Sequence, residues 1–479
     1  MPSTLPASFP ACRDLADLGQ PCAPTVPSPA SPSLVDDETG ISHLEQPVIG
    51  ISNHALGSAA EPAAAAGEIL ALRPKAVAPW WQRYDQLIGW TLWGLLIVVA
   101  AGLELAGNQK SVTRAYAVGG HGWLHGEDMY NGAGSGFIYL PISGLLFVPM
   151  AATPGPAVEI AWRVFTIGAF ALALWFSGRL IERRVGSPCF LAMSGMGVIL
   201  AFPAARNGQA TLPMLAFLVA AIAATVARRH GIAAAAATAA ILMKPLALPV
   251  VAVLALLRPR LIPPLAAGCL LLVGLPFLIT DTDWAHRQNA GFLEVLRISQ
   301  QMQGQEAWAT LFGIFNVSGH PVPAPVRLAV QLAASLAVVL GCREALRRLD
   351  PGSATLHVFT LTITLLLLLS PRTENNTYAC IVPALVMVMA AAATARPPRR
   401  VVVAGGWLAA IAIIGSYELG RRLAPGVRGV WLAPLTTTLL TPWFVVSLLD
   451  ELRSSGEATA RVVRLPVPGD AADQVARAA

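Results

Sequence analysis

Charge is scarce in this chain. Only 13% of its 479 residues are Asp, Glu, Lys or Arg, where a soluble protein of that length carries about one quarter. So few charges cannot cover a water-facing surface, which excludes an ordinary soluble enzyme. Cysteine is sparse too. Cys12, Cys22, Cys189, Cys269, Cys342 and Cys380 stand apart, with no C-x-x-C pair, which argues against a disulfide framework and a structural zinc site. No basic segment followed by an apolar core and a cleavage site opens the chain, so no signal peptide is expected. The absence of a convincing internal repeat weakens a transporter built from inverted halves.

What the chain has instead is hydrophobic length. It is 55% hydrophobic, with mean hydropathy +0.60, and apolar runs of roughly 17 to 22 residues recur, the length that crosses a hydrocarbon core. The runs lie near 86–106, 157–178, 188–204, 209–227, 231–257, 261–280, 324–343, 355–371, 377–395, 401–419 and 430–449. The expected fold is all-α, a polytopic transmembrane helical bundle. Residues 1–78, rich in Pro, Ala and Ser, are expected to be a disordered cytoplasmic region. Residues 79–450 form the membrane domain, and 451–479 a loose cytoplasmic tail. The net charge of +6 sits in short arginine clusters between apolar runs, which reads as topology and not as nucleic-acid binding. The Ala- and Arg-rich usage points to a bacterium with GC-rich DNA, hence to its inner (plasma) membrane.

Arginine and lysine stay on the cytoplasmic side. Arg73, Lys75 and Arg83 put the N-terminus inside, followed by Arg179, Arg183 and Arg184, then Arg228 and Arg229, then Arg343, Arg347 and Arg348, then Arg396, Arg399 and Arg400. Alternation fails at 231–257 unless that run is a hairpin of two half-length helices broken at Lys244-Pro245, where proline removes a backbone hydrogen bond. With that break, every basic cluster named lies inside. Phe137 to Met150 then becomes a short interfacial or re-entrant helix on the outer face.

The polar gaps R-N-G-Q, from Arg206 to Gln209, and R-T-E-N-N, from Arg372 to Asn376, both fall on that outer face, with Lys244 pointing towards it from below. A lysine in an apolar run costs about 2.5 to 3.5 kcal/mol unless it finds a partner or water. Its alternatives are a snorkelling structural residue or a cation facing a lipid phosphate. Arg206 and Arg372 carry the planar fork that suits phosphate, or they anchor to headgroups. The loop G-G-H-G-W-L-H-G-E-D-M-Y-N holds His121, His125, Glu127 and Asp128. Without a helix signature the two histidines make a weak metal pair, and no metal is expected. A carboxylate there is a candidate general base towards a hydroxyl. A second outer loop, holding Asp281, Asp283, His286, Arg287, Asn289, Glu294 and Trp308, reads either as an acceptor site or as an ordinary surface loop.

These motifs together resemble the polyprenol-phosphate-sugar-dependent alpha-mannosyltransferases, the family of the phosphatidylinositol-mannoside enzymes, within the C-type glycosyltransferase superfamily. G-E-D-M-Y precedes F-I-Y-L-P-I-S-G-L-L-F-V-P-M, and N-G-Q, M-K-P and L-L-S-P-R-T-E-N-N-T-Y follow in the family's order. The resemblance implies an inverting hexosyltransferase without cofactor, moving a hexose, typically mannose, from a polyprenyl-phosphate donor to a lipid or glycan acceptor hydroxyl on the periplasmic side. In that picture Lys244, Arg372 and Arg206 hold the donor phosphate. Asn207, Gln209, Tyr139, Asn375 and Tyr378 line the sugar or acceptor cleft and its mouth. Asp128, then Glu127 and Glu104, are the candidate bases. Two departures stand out: no acid lies between Asn108 and Tyr116, where the family carries an aspartate, and Tyr139-Leu140-Pro141-Ile142 lacks the second proline of the Tyr-Pro-Pro pattern. They keep open a displaced base or a catalytically silent relative; a membrane transporter or lipid flippase is the remaining class.

Overall fold

The structure is a computed structural model. It describes residues 80–108, 110–130, 136–302, 308–395, 397–425 and 429–463, without the side chains of 80–81, 299–302 and 456–463. The expectations for residues 1–78, including Arg73 and Lys75, and for Arg396 fall outside that range.

Among the described residues the regular elements are helices. In chain order they are α1 (Trp80–Arg83), α2 (Asp85–Leu105), α3 (Thr113–His125), α4 (Ser143–Ala152), α5 (Pro156–Val185), α6 (Phe190–Asn207), α7 (Thr211–Val226), α8 (His230–Met243), α9 (Leu248–Leu257) and α10 (Ile262–Ile279). There follow α11 (Thr282–Met302), α12 (Leu311–Val317), α13 (Ala324–Arg348), α14 (Pro351–Leu369), α15 (Val382–Thr394), α16 (Arg400–Ile414), α17 (Ser416–Leu423) and α18 (Leu432–Val463). Eight helical stretches among the described residues are long and apolar enough to cross a membrane, nine if α16 and α17, bent by 88°, count as one.

The bundle is organised around α14, in which every side chain from Ser353 to Leu369 is buried. Nineteen residues at 1.5 Å each make a rod of about 28 Å, and its two ends differ in chemistry. Asp350 caps the first end, its carboxylate accepting the Gly352 and Ser353 amides at 2.8 and 3.1 Å. Arg184 of α5 and Glu451 of α18 lie at that end. At the other end Leu369 runs into Ser370-Pro371-Arg372, beside Lys244.

The run 231–257 is broken as expected. Lys244 adopts extended backbone (φ −161°, ψ 122°) between α8 and a single 3-10 turn, Pro245–Ala247, because the residue before a proline is pushed out of the helical region. Arg258, after α9, lies near enough to Arg228, before α8, for their charges to repel. Both ends of the hairpin therefore share the arginine-rich end, and Lys244 sits at its tip.

Several expectations need correction. The outer stretch between α2 and α4 is not a plain glycine-rich loop: residues 113–125 form α3, and His121 and His125 sit one turn apart with ring centres 4.3 Å apart. Its glycines are unfavourable for helix in isolation, but they let α4 come close, which is a gain that propensity alone does not register. The loop from Asp281 contains α11 and α12. The tail expected to be loose from 451 is helical to Val463. The run 209–227 yields a 16-residue helix, about 24 Å long, shorter than a full span.

A Cβ on Gly120 would stand 2.3 Å from the Phe147 carbonyl oxygen, and one on Gly144 2.2 Å from the Trp123 ring. The approach of α3 to α4 thus requires glycine on both faces. Gly120→Ala should destabilise the protein by about 1–3 kcal/mol through overpacking, seen as a lower Tm in detergent. Gly94→Ala, where a Cβ meets nothing within 4 Å, should stay within about 0.5 kcal/mol.

Candidate active site

Lys244 is only 6% exposed, and its ammonium donates to the Thr211 hydroxyl at 3.0 Å. One neutral oxygen does not balance a buried cation. The balance comes from Glu374, in the gap between α14 and α15. The Lys244 ammonium holds the Glu374 carboxyl below the usual range; burial pushes the other way, while Asn376, Arg372 and Gln209 reinforce the lowering. Gln209 donates to Glu374 at 3.3 Å. The two polar gaps of the sequence therefore meet here, R-N-G-Q through Gln209 and R-T-E-N-N through Glu374.

Beside this cluster lies a cavity of about 270 Å³, lined by Tyr139, Lys244, Ser370 and Arg372 among apolar groups that include Leu246, Val295 and Leu296. The Arg372 guanidinium lies over the Trp308 ring, 4.5 Å from its centre, a cation–π contact. Two cations thus face one water-poor space with an apolar wall. The Tyr139 hydroxyl pairs with that of Tyr116 at 3.1 Å. Burial raises both phenols, Tyr116 to about 12 and Tyr139 well above its usual value, so they stay neutral. Tyr116 also accepts the Ala210 amide at 3.0 Å.

The R-N-G-Q gap is held by backbone geometry. Gly208 has φ +68°, and the amides of Gly208 and Gln209 reach back to the Ala205 and Ala204 carbonyls at 3.1 and 2.9 Å, a Schellman ending. The Arg206 carbonyl accepts Asn108 at 2.7 Å, and the Gly208 carbonyl accepts the Trp162 indole at 2.8 Å. Arg163, 1% exposed, braces the same turn. Its guanidinium meets Glu104 at 2.5 Å, Glu159 at 3.2 Å and the Ser111 hydroxyl at 2.8 Å.

The expected site residues separate accordingly. Lys244, Arg372 and Tyr139 share one cavity, and Gln209 touches the adjoining cluster. Arg206 is not among the cavity's lining residues; its Nε donates to the Asn207 side chain at 3.1 Å. Asn375 is half-buried at the start of the turn before α15. Tyr378, expected at the mouth, is fully buried and donates to the Ala309 carbonyl at 2.9 Å, which fastens the segment before α12.

Of the candidate bases, Glu104 is engaged by Arg163, and Glu127 is exposed beside His121 at 3.4 Å. Asp128 accepts the Tyr130 amide at 2.9 Å and lines a second cavity of about 260 Å³ with Tyr130, Arg287, Gln288, Glu294 and Val295. Val295 lines both cavities. Among the described residues no group of three His, Cys, Asp or Glu gathers to hold a metal. Glu374 is the residue that sequence reasoning passed over; the signal was the need for a counter-charge to Lys244.

Folding lowers the Glu374 pKa, so its contribution to stability is full above the ordinary value of about 4.3 and is lost as pH falls through the lower folded value. Lys244→Met removes the cause, and the acid-linked fall in Tm should move to higher pH; an unchanged profile would show that Lys244 does not set the Glu374 charge. Arg163→Met, which strands two carboxylates, should cost on the order of 3–5 kcal/mol. Arg179→Met at an exposed pair should cost about 0–1 kcal/mol, measured by the same thermal unfolding.

Residues 137–371 match the sequence model of Glycosyltransferase family 87. The match covers Tyr139, Gln209 and Lys244 and stops one residue before Arg372. No curated protein and no solved structure matched the chain. Set beside an all-helical bundle with a cationic cavity at one end, the family match supports a membrane glycosyltransferase and implies a lipid-linked sugar donor.

Proposed function

We propose that the chain transfers a hexose, mannose first among them, from a polyprenyl-phosphate donor to a lipid or glycan hydroxyl, with inversion, at the periplasmic face of the bacterial inner membrane. The observation that carries this reading is the shared cavity of Lys244 and Arg372. The positive-inside rule places the arginine-rich end in the cytoplasm, so the Lys244 end faces the periplasm.

The donor phosphate sits between the Lys244 ammonium and the Arg372 guanidinium, its polyprenyl chain along Leu246, Val295 and Leu296. The acceptor oxygen attacks the anomeric carbon, and the bond from that carbon to the phosphate oxygen breaks. The electron pair leaves with polyprenyl phosphate, whose added charge the two fixed cations stabilise in a water-poor site. Gln209 and Tyr139 offer hydrogen bonds to the sugar.

The acceptor's proton goes to a carboxylate opposite the leaving phosphate, as a single displacement requires. Asp128 is our choice, since its cavity adjoins the donor cavity across Val295 while Glu374 stands on the cation side. Glu374 serves as the counter-charge to Lys244 until the phosphate arrives. Glu104, through Arg163, and Asn207, through Arg206, help to hold the surrounding turns.

The test is transfer of radiolabelled sugar from polyprenyl-phosphate mannose and polyprenyl-phosphate glucose in membranes that carry the chain. Lys244→Ala and Arg372→Ala should each lower transfer at least 100-fold, about 2.7 kcal/mol. Asp128→Asn should lower kcat with little change in KM. Label above empty membranes that survives Lys244→Ala would remove the phosphate role, and full activity in Asp128→Asn would remove the base.

A further inference from the structure

A cavity of about 790 Å³ lies away from Lys244, at the other end of α14. It is lined by Arg183 and Arg184 in the last turn of α5, Arg229 in the turn before α8, Asp350 and Glu451, with Phe176, Leu180 and Ile232 as an apolar wall. Its two carboxylates are already occupied. Glu451 takes Arg184 at 2.6 Å and His357 at 2.7 Å, and Asp350 caps α14. The side chains of Arg183 and Arg229 are exposed and make no hydrogen bond or ion pair among the described residues. Two uncommitted guanidinium groups therefore stand on the rim of a space whose wall is hydrocarbon.

The wall also opens sideways. Phe176 and Ile232 are exposed, Ile232 at 56%, on helices whose flanks are the apolar surface of the bundle. A ligand filling this space needs an anionic head at the membrane edge and an apolar chain below it. A soluble anion would leave the wall uncovered, and a zwitterionic headgroup would set a second cation against Arg183 and Arg229.

We propose that this cavity is a second lipid-phosphate site, in which Arg183 and Arg229 bind the phosphate and Phe176, Leu180 and Ile232 carry the chain. The site goes beyond the transferase reading and does not depend on it. Two membrane components present this chemistry: a polyprenyl phosphate monoester and an anionic diacyl phospholipid. Planar guanidinium groups suit the phosphate oxygens of either.

The experiment measures Tm of the full chain in neutral detergent with added undecaprenyl phosphate, phosphatidylglycerol or phosphatidylcholine. The chain is compared with the Arg183→Gln, Arg229→Gln double variant and with Arg179→Gln, an exposed arginine nearby that is not among the cavity's lining residues. Both substituted positions are exposed, so folding should be retained, and native mass spectrometry of the same samples counts bound lipid directly. The expected result is a rise in Tm, with one more retained lipid, for at least one anionic lipid. The double variant should lose at least half of that shift, and Arg179→Gln should keep it. A response to undecaprenyl phosphate alone identifies the carrier as the ligand, and a response to phosphatidylglycerol identifies the bulk anionic lipid. An equal shift in the double variant, an equal shift with phosphatidylcholine, or no shift with any lipid would overturn the proposal.

Discussion

One buried cation organises the Lys244 end of this protein. A lysine within an apolar run is unfavourable unless it reaches a partner, and here the chain breaks to let it do so. Pro245 stops α8, Lys244 takes extended backbone, and the ammonium meets Thr211 at the start of α7. The remaining charge draws in Glu374 from the gap after α14, and Gln209 donates to that carboxylate. The hairpin tip, the end of α6 and the start of α15 are thus gathered around a single charge.

Arg163 does related work a short distance away. Its guanidinium joins Glu104 of α2 to Glu159 of its own helix and reaches the turn after α6. A buried arginine with two carboxylates gives little net stability compared with apolar packing, but its loss strands the partners. What it supplies is position. The Arg206 to Gln209 turn is held by Arg163, Trp162 and Asn108, and Tyr116 accepts the amide of Ala210 just after it. Gln209 can then present its amide to Glu374 without a flexible loop in between.

The two ends of α14 divide the protein's polar chemistry. At one end two cations line a mostly apolar cavity. At the other, three arginines face a larger cavity with an apolar wall. The helix between them is buried along its length, so it holds the two ends about 28 Å apart.

Local composition was enough to reveal most of the spans, the break at Lys244-Pro245 and the gathering of arginines at one end, because hydropathy, proline and charge each act within a few residues of where they stand. It did not reveal α3 or α11. Glycines in α3 look like loop until Phe137, Phe147 and Met129 are seen packed against them, and α11 is polar enough to pass for a surface loop. Nor could it pair Lys244 with Glu374, set Asp128 in a neighbouring cavity, or bury Tyr378. Those outcomes depend on which helix ends meet, and residues far apart in the chain acquire their partners only when the apolar faces between them have packed.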